Sequence, residues 1–328
     1  MSGWKKITLG IAGAFGLLAV LLGALTVLMP RWINGEAVKA GILARVSRAA
    51  GGTVRYERLD LVWFPRPRIV VRRLELAIPH RAAGTVESLT LSPSLFPLVR
   101  GGYHLAKIRA DAPDLAVEIP RSAKEEKPPS LAEIREQIAA LLSTLSVDAP
   151  GMTFEVHRGR VALSLGPRPL CALREIEGRI ILPPKRLDVD LRCASNLWGN
   201  LSLNGRLEAA ELSGRGTIEL VGLDLAPFAE SFLPEGWRQM AAGRADLGAG
   251  FEIERFRTLK AEVRGESRSL SVRRGNGSTG VSGLRIGGTV EIDEARTVVS
   301  VARMSLESPR LRTSGQLVLD RTVQRATL

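Results

Sequence analysis

Aromatic side chains make up only 5% of this chain, two of them tyrosines, and there are just three histidines and two cysteines. Each shortage excludes something. Single-stranded nucleic acid is gripped by aromatic rings interleaved with basic groups, so a formal net charge of +12 without those rings does not make a nucleic-acid channel. A transmembrane barrel needs aromatic girdles and does not begin with a membrane helix. His80, His104 and His157 stand far apart and unaccompanied, and H-E-x-x-H, C-x-x-C, G-x-S-x-G and G-x-x-x-x-G-K-S/T are all missing. Asp188 and Asp190 fall on one side of a strand, but nothing near them completes a metal site. No residue offers itself as nucleophile, base or metal ligand, so the reading is of a protein that is not an enzyme and needs no cofactor.

Two further features look like motifs. Residues 275–280, GNGSTG, match G-x-G-x-x-G, but strand-like segments lie on both sides and no helix follows to receive a pyrophosphate. Asn276-Gly277 reads as a hairpin turn instead. Cys171 and Cys193 have their midpoint at Leu182, beside the PPKR turn, and a hairpin there brings neighbouring strands together. Apolar parity is even before that turn (Ile176, Ile180, Leu182) and odd after it (Leu187, Val189, Leu191), which implies a bulge. A disulfide and two small buried thiols both stay open.

What the chain does have is one long uncharged run. Residues 7–29, ITLGIAGAFGLLAVLLGALTVLM, hold no charge, and at about 1.5 Å per residue they cross a hydrocarbon core of about 30 Å. A cleaved signal peptide normally has an apolar region of only about 7 to 15 residues and a small-x-small site, neither of which is seen. Lys5 and Lys6 precede the run, which places residues 1–6 in the cytoplasm and the rest across the membrane, although Arg31, Lys39, Arg45 and Arg48 on the far side pull the other way. For an exported chain, lipid head groups replace nucleic acid as the partner of its positive charge.

Beyond the run, residues 34–50 read as a short helix with Asn34 as N-cap, Val38, Ile42 and Val46 on one face and Gly51-Gly52 as the stop. The period then changes from helical to alternating. TVRYERLDLVW, RIVVRRLELAI, VESLTLS, HLAKIRA and DLAVEIP, within residues 31–120, are short alternating segments separated by Pro, Gly and Ser. Residues 121–147 contain the charged RSAKEEKPPS loop and then an amphipathic helix, with Ser130 and Glu133 as a capping box and Leu131, Ile134, Ile138, Leu141, Leu142 and Leu145 on one stripe. That helix reads as a cover for one end of a sheet. Alternation resumes over residues 148–328, interrupted by a helical or irregular piece at 226–243.

Some 14 to 17 strands are implied, and in one sheet at about 4.8 Å spacing they would extend roughly 65 to 80 Å. Each has one apolar face, and the few helices are too small to cover them all. Those faces must meet each other in a sandwich or barrel, or meet a ligand along a curled groove.

The N-terminal order of elements, with GGTVRYERLDLVWFPRPRIVVRRLELAIP followed by VESLTLSPSLFPLVRGGYHLAKIRADAPDLAVEI, resembles the AsmA family of bacterial envelope proteins. The carrying features are the strand entering Phe64-Pro65-Arg66-Pro67, the LSPSLFPLVRGG turn, and IRADAPDLAVEI with Pro113 before its strand; LSLNGRLE, GTIELVGLDLAPF and SLESPRLRTSGQLVLD are similar to the family's later strands. The resemblance implies an anchor in the bacterial inner membrane and a periplasmic, long curled antiparallel sheet (a repeating β-groove) related to chorein-type bridge proteins. It also implies a part in phospholipid transport toward the outer membrane and in outer-membrane integrity, with other envelope proteins as possible partners. Family members can be longer; this chain closes on DRTVQRATL with no evident closing helix, and a natural short member and a truncated product both stay open.

On this reading one apolar face per strand lines a lipid groove. The lining residues are Leu59, Leu61, Trp63, Ile69, Val71, Leu74, Leu76, Leu89, Leu91, Leu115 and Val117 in the N-terminal part. Leu163, Leu165, Val189, Leu191, Leu201, Leu203, Ile218, Leu220, Leu317 and Leu319 follow in the C-terminal part. Bulges flip parity, so each assignment holds only between bulges. Arg66 and Arg68, in the FPRPR bend, would meet anionic head groups at the groove mouth. The rival is a periplasmic scaffold or regulator of outer-membrane protein assembly whose sheet faces pack dry in a sandwich.

Overall fold

The computed structural model describes residues 52–327 except 63–65, 80, 94–104, 120–135, 137–150, 183–185, 233–240, 256, 275–276, 294–295, 308–310 and 321–324. The expected membrane helix 7–29 and short helix 34–50 lie outside these residues, as does the amphipathic helix of 121–147 apart from Glu136, which is helical. No helix among the described residues is long and apolar enough to cross a membrane.

Fifteen strands form one sheet in strict chain order, β1 beside β2 through to β15. They are β1 (Thr53–Val62), β2 (Arg68–Ile78), β3 (Ala82–Pro93), β4 (Leu105–Ile119), β5 (Met152–Leu165), β6 (Arg168–Leu182), β7 (Arg186–Ser195) and β8 (Asn200–Glu208). Then come β9 (Ser213–Asp224), a helix α1 (Leu225–Phe232), β10 (Ala241–Glu254), β11 (Thr258–Arg274), β12 (Gly277–Ile292), β13 (Arg296–Leu306), β14 (Leu311–Asp320) and β15 (Arg325–Thr327). Spaced at about 4.8 Å, that many strands make a sheet on the order of 65 Å across.

Neighbours are antiparallel with one exception: β4 and β5 run parallel. A parallel pair cannot close through a hairpin and needs a crossover of a dozen or more residues. Residues 120–151, where the sequence predicts a charged loop and a helix, supply that crossover. The expectation of hairpins throughout is therefore corrected at this junction.

Three segment boundaries also differ from the sequence reading. HLAKIRA and DLAVEIP are one strand, β4; MTFEVHR and RVALSL are one strand, β5; and Ala241–Gly243 open β10 instead of ending an irregular piece. The cause of the first two is a kink that breaks alternation without breaking the ladder. Arg73, Ala112, Arg158 and Glu175 hold left-handed backbone with φ of 47°, 46°, 54° and 52°. Each sits where its strand's apolar side advances by three residues instead of two, as from Val71 to Leu74 and from Ala110 to Pro113. Leu74 opposes Val86, and Val86 opposes Pro113; Asp111 opposes His157, and Gly159 opposes Ile176. The flips therefore stand at one level across β1–β6, and the pairing of β1, β2 and β3 passes through it with no register shift. Pro113, expected just before a strand, lies inside one at this kink, where its missing N–H is tolerated.

A second set of irregularities continues at the corresponding level in the C-terminal half. Register shifts fall between Ala245 and Leu247 of β10 and between Gly287 and Gly288 of β12, and Gly222 (φ 70°) and Gly283 (φ 62°) take the left-handed conformation. The Gly222 N–H donates to Asp246 Oδ1 at 2.7 Å, which ties β9 to β10 there.

Among the described residues buried apolar side chains are few. Tyr56, Leu59 and Val71 form one cluster with Ile69, Leu74 and Leu89 packed on it. A second buried set, Cys193, Leu197, Leu223 and Ala229, lies where β7 and β8 stop short and α1 packs on β9, β10 and β6. The Arg168 guanidinium donates to the Glu230 carbonyl, fastening α1 to the start of β6.

Candidate functional site

Residues directly opposed across a ladder point to the same side of a sheet, so the pairings trace each side rung by rung. One rung runs Leu61, Ile69, Leu91, Ile108, Phe154, Ile180, Val189, Gly205, Gly216, Phe251, Ala261, Val290 and Val299. Leu317 takes the next register position. The adjacent rung runs Leu59, Val71, Leu89, Ala110, Val156, Gly178, Leu191, Leu203, Ile218, Ala249, Val263, Gly288 and Val301. Neither rung contains a polar side chain.

Beyond the kink the same side continues. Leu74 opposes Val86, Leu76 opposes Gly84 and then Leu115, and Val117 opposes Leu163 and then Cys171; Leu165 stands beside Ile119. In the C-terminal half Cys193, Leu201, Leu220 and Leu247 are opposed in turn. The coordinated kink explains this continuity: all six N-terminal strands change parity together, from odd to even in β1–β3 and from even to odd in β4–β6, so the apolar residues on its two sides share one side of the sheet. Of the sequence-predicted lining residues, those from Leu59 to Leu220 are brought onto this side, Leu319 registers with Thr297, and Trp63 lies outside the described residues.

All described strands belong to one sheet, so no second sheet is described against this side, and α1 packs on β6, β9 and β10 at one end. Leu59 and Val71 are buried, most of the others are half-buried, and Ile218, Leu247 and Ile286 expose 38%, 40% and 36% of their surface. The described strands form one sheet and not the two separate sheets of a sandwich. The sequence reading missed β10 and most of β11, residues 244–266. Leu247, Phe251 and Ile253 do alternate there, but intervening Gly and Ala diluted the signal.

The opposite side is charged and internally paired. Asp60 accepts from Arg58 at 2.5 Å and Arg72 at 3.0 Å, and Asp188 pairs with Arg186 at 2.9 Å and Arg206 at 3.0 Å. Arg109 holds Asp111 at 2.8 Å, with the Ser88 hydroxyl donating to the same carboxylate. Burial opposes ionisation of Asp111, yet the hydrogen bond and charge of Arg109 outweigh it and hold the carboxyl below its usual range. Glu155 is held low in the same way against burial, by Lys107 at 2.7 Å and by His157, and Asp188 by Arg206 and Arg186.

His157 is not unaccompanied, as the sequence suggests. Its Nδ1 meets Glu177 at 2.8 Å and its Nε2 meets Glu155 at 3.3 Å. Glu177 also accepts the Arg158 N–H at 2.8 Å, so this cluster clamps the left-handed residue of β5. The partners come from β5 and β6, about twenty residues apart in sequence, a separation no local pattern reveals.

A hollow of about 1070 Å³ lies over β6–β12 and is bordered chiefly by this charged side, including Arg179, Asp188, Asp190, Arg206, Arg215, Glu252, Lys260, Glu262 and Glu291. Of the predicted lining residues, Val189 borders it. Arg66 and Arg68 are exposed at the β1–β2 connection, where β1 ends at Val62 and β2 begins at Arg68.

Cys171 and Cys193 are free and buried, and burial pushes both thiols up. The β6–β7 register pairs Ile180 with Val189, so even naturally opposes odd across this turn and the parity change needs no bulge there. Leu173 opposes Ser195, which leaves the two cysteines well out of step. In GNGSTG, Arg274 opposes Gly277 within a β11–β12 hairpin, which shifts the turn one residue toward the N-terminus of the expected Asn276-Gly277. Among the described residues no group of three or more His, Cys, Asp or Glu is placed to hold a metal ion. No family model matches the chain, and neither does any curated protein or solved structure.

Proposed function

We propose that this protein binds lipid acyl chains along the apolar side of its sheet, as an inner-membrane-anchored periplasmic conduit for phospholipids bound toward the outer membrane. The observation that carries the proposal is the pair of rungs free of polar side chains that cross the sheet from β1 to β13 with no second sheet described over them. Soluble proteins rarely leave contiguous apolar patches of more than a few hundred Å² uncovered, and larger ones mark a binding surface. A CH₂ leaving water gains about 0.8 kcal/mol, so a long acyl chain lying on such a surface gains several kcal/mol even when covered on one side. No covalent step is needed. The anchor is the uncharged run 7–29, and Arg66 and Arg68 are assigned to head groups at the membrane end.

Photo-crosslinking tests this reading. A photoreactive residue placed at Leu203 or Val263 in the full chain, in cells, is expected to capture phospholipid, identified by mass spectrometry, while the same probe at Thr217 or Glu262 on the charged side captures none. Equal capture from both sides, or none from either, rejects lipid binding by this face. Protein adducts at Leu203 without lipid would instead favour the scaffold.

A further inference from the structure

We infer that the charged side of the β1–β2 hairpin is a docking surface for an anionic bilayer. It rests on the membrane attachment proposed above but concerns the opposite side of the sheet from the lipid path. Residues 53–78 carry six arginines (Arg55, Arg58, Arg66, Arg68, Arg72, Arg73) against three carboxylates (Glu57, Asp60, Glu75) and no lysine. Around the hollow of β6–β12, on the same side of the sheet, five carboxylates face four cations. The β1–β2 hairpin, which follows most closely on the predicted anchor, thus carries an excess of positive charge where the lining of the hollow does not.

The pairing geometry makes this excess available. Arg58 and Arg72 oppose each other directly, a juxtaposition of like charges that costs stability unless an anion lies between them. One carboxylate, Asp60, serves both, and it is sunk to 16% exposure beneath guanidiniums that remain 66% and 62% exposed. Two largely exposed guanidiniums thus share one covered carboxylate. Arg73, 78% exposed on the kink, adds a third guanidinium, paired with Glu57 at 2.9 Å. A guanidinium binds phosphate oxygens with its planar fork of donors. A surface of phosphodiester head groups offers such oxygens in a plane, which suits a row of arginines on a sheet. The attraction decays within about a Debye length, roughly 10 Å, so it acts only where the hairpin lies against the bilayer.

The test uses the full chain in nanodiscs of phosphatidylcholine, with or without phosphatidylglycerol, carrying a fluorophore at Thr85→Cys or, in a second sample, at Thr217→Cys. Both positions are exposed on the charged side; Thr85 opposes Glu75 beside the arginines, and Thr217 borders the hollow. Head-group-labelled lipid is expected to quench the Thr85 site several-fold more than the Thr217 site in the anionic discs. The difference should disappear in phosphatidylcholine, at high salt, and in R58Q/R72Q/R73Q whose circular dichroism matches the parent. Quenching that is the same in neutral discs, the same at both sites, or unchanged in the triple variant overturns the docking surface. A triple variant that fails to fold is replaced by R73Q alone, for which a partial loss is required. Lipid capture at Leu203 is scored in the same samples; its persistence alongside lost quenching separates failure of this surface from failure of the lipid path.

Discussion

Ala112 sits in the left-handed region in the middle of a strand that is paired on both sides, a place where an L-residue with a Cβ costs about 1–2 kcal/mol relative to glycine. Glycine relieves that strain while adding backbone entropy to the unfolded chain. Ala112→Gly is therefore expected to raise stability by about 0.5–1 kcal/mol, and Ala112→Val to lower it by more, read as shifts in urea midpoint at constant slope. The carboxylates give a second prediction at this scale. Asp111, Glu155 and Asp188 are held below their ordinary values when folded, so their contribution is present above about pH 4 and is lost as pH falls through the depressed values. The urea midpoint should be flat above that range and fall below it. Asp111→Asn should lower the plateau and flatten the fall; an unchanged acid limb would show that Arg109 does not hold the group down. Residue identity alone made Leu59 and Leu61 legible as one face of a strand, because period-two alternation needs no partner. It left the companions of His157 hidden, because Glu177 reaches it only through the β5–β6 register.

At the scale of the element, the kink line decides what the alternation means. A reader who follows parity along β4 must end the strand at Asp111 and start another at Pro113, because the apolar set changes from even (Ile108, Ala110) to odd (Pro113, Leu115, Val117). The ladder in fact runs through, and one left-handed residue in each of β2, β4, β5 and β6 absorbs the change. Strand existence was thus legible, while strand length was not, since the signal for a kink and for a turn is the same break in period. The parallel β4–β5 pair was illegible for a different reason: direction depends on where the crossover returns, and no local pattern encodes that. The kink is also a prediction. Inserting one alanine after Arg158 adds a residue that the kink does not absorb and turns Val161, Leu163 and Leu165 to the charged side. Lipid capture at Leu163 should then fall to background while capture at Leu203, two strands beyond β6, is retained. Retained capture at Leu163 would mean that the kink does not set the side.

Across the whole molecule, a path that conducts and a face that merely stores lipid have the same lining and differ only in whether occupancy at one end depends on passage through the middle. Gly205 offers a way to separate them. It lies in the apolar rung between Val189 and Gly216, and no atom outside its chain neighbours comes within 4 Å of where a Cβ would sit. Gly205→Trp therefore places a large side chain on the surface without displacing packed atoms. Its stability should match the parent to within about 0.5 kcal/mol, the usual range for substitutions away from packed features. The apolar side runs from the strands nearest the predicted anchor, β1–β4, past Gly205 to β12 and β13. If lipid enters at the anchored end and travels along the rungs, a photoreactive probe at Ile108 should capture lipid in the Gly205→Trp chain as in the parent. A probe at Val290 should lose most of its capture. Equal loss at both positions would point to a collapsed sheet, which the stability measurement would register. No loss at either would mean that each stretch of the face fills directly from solution or from the membrane, leaving lipid binding intact as a property of the sheet and removing conduction along it.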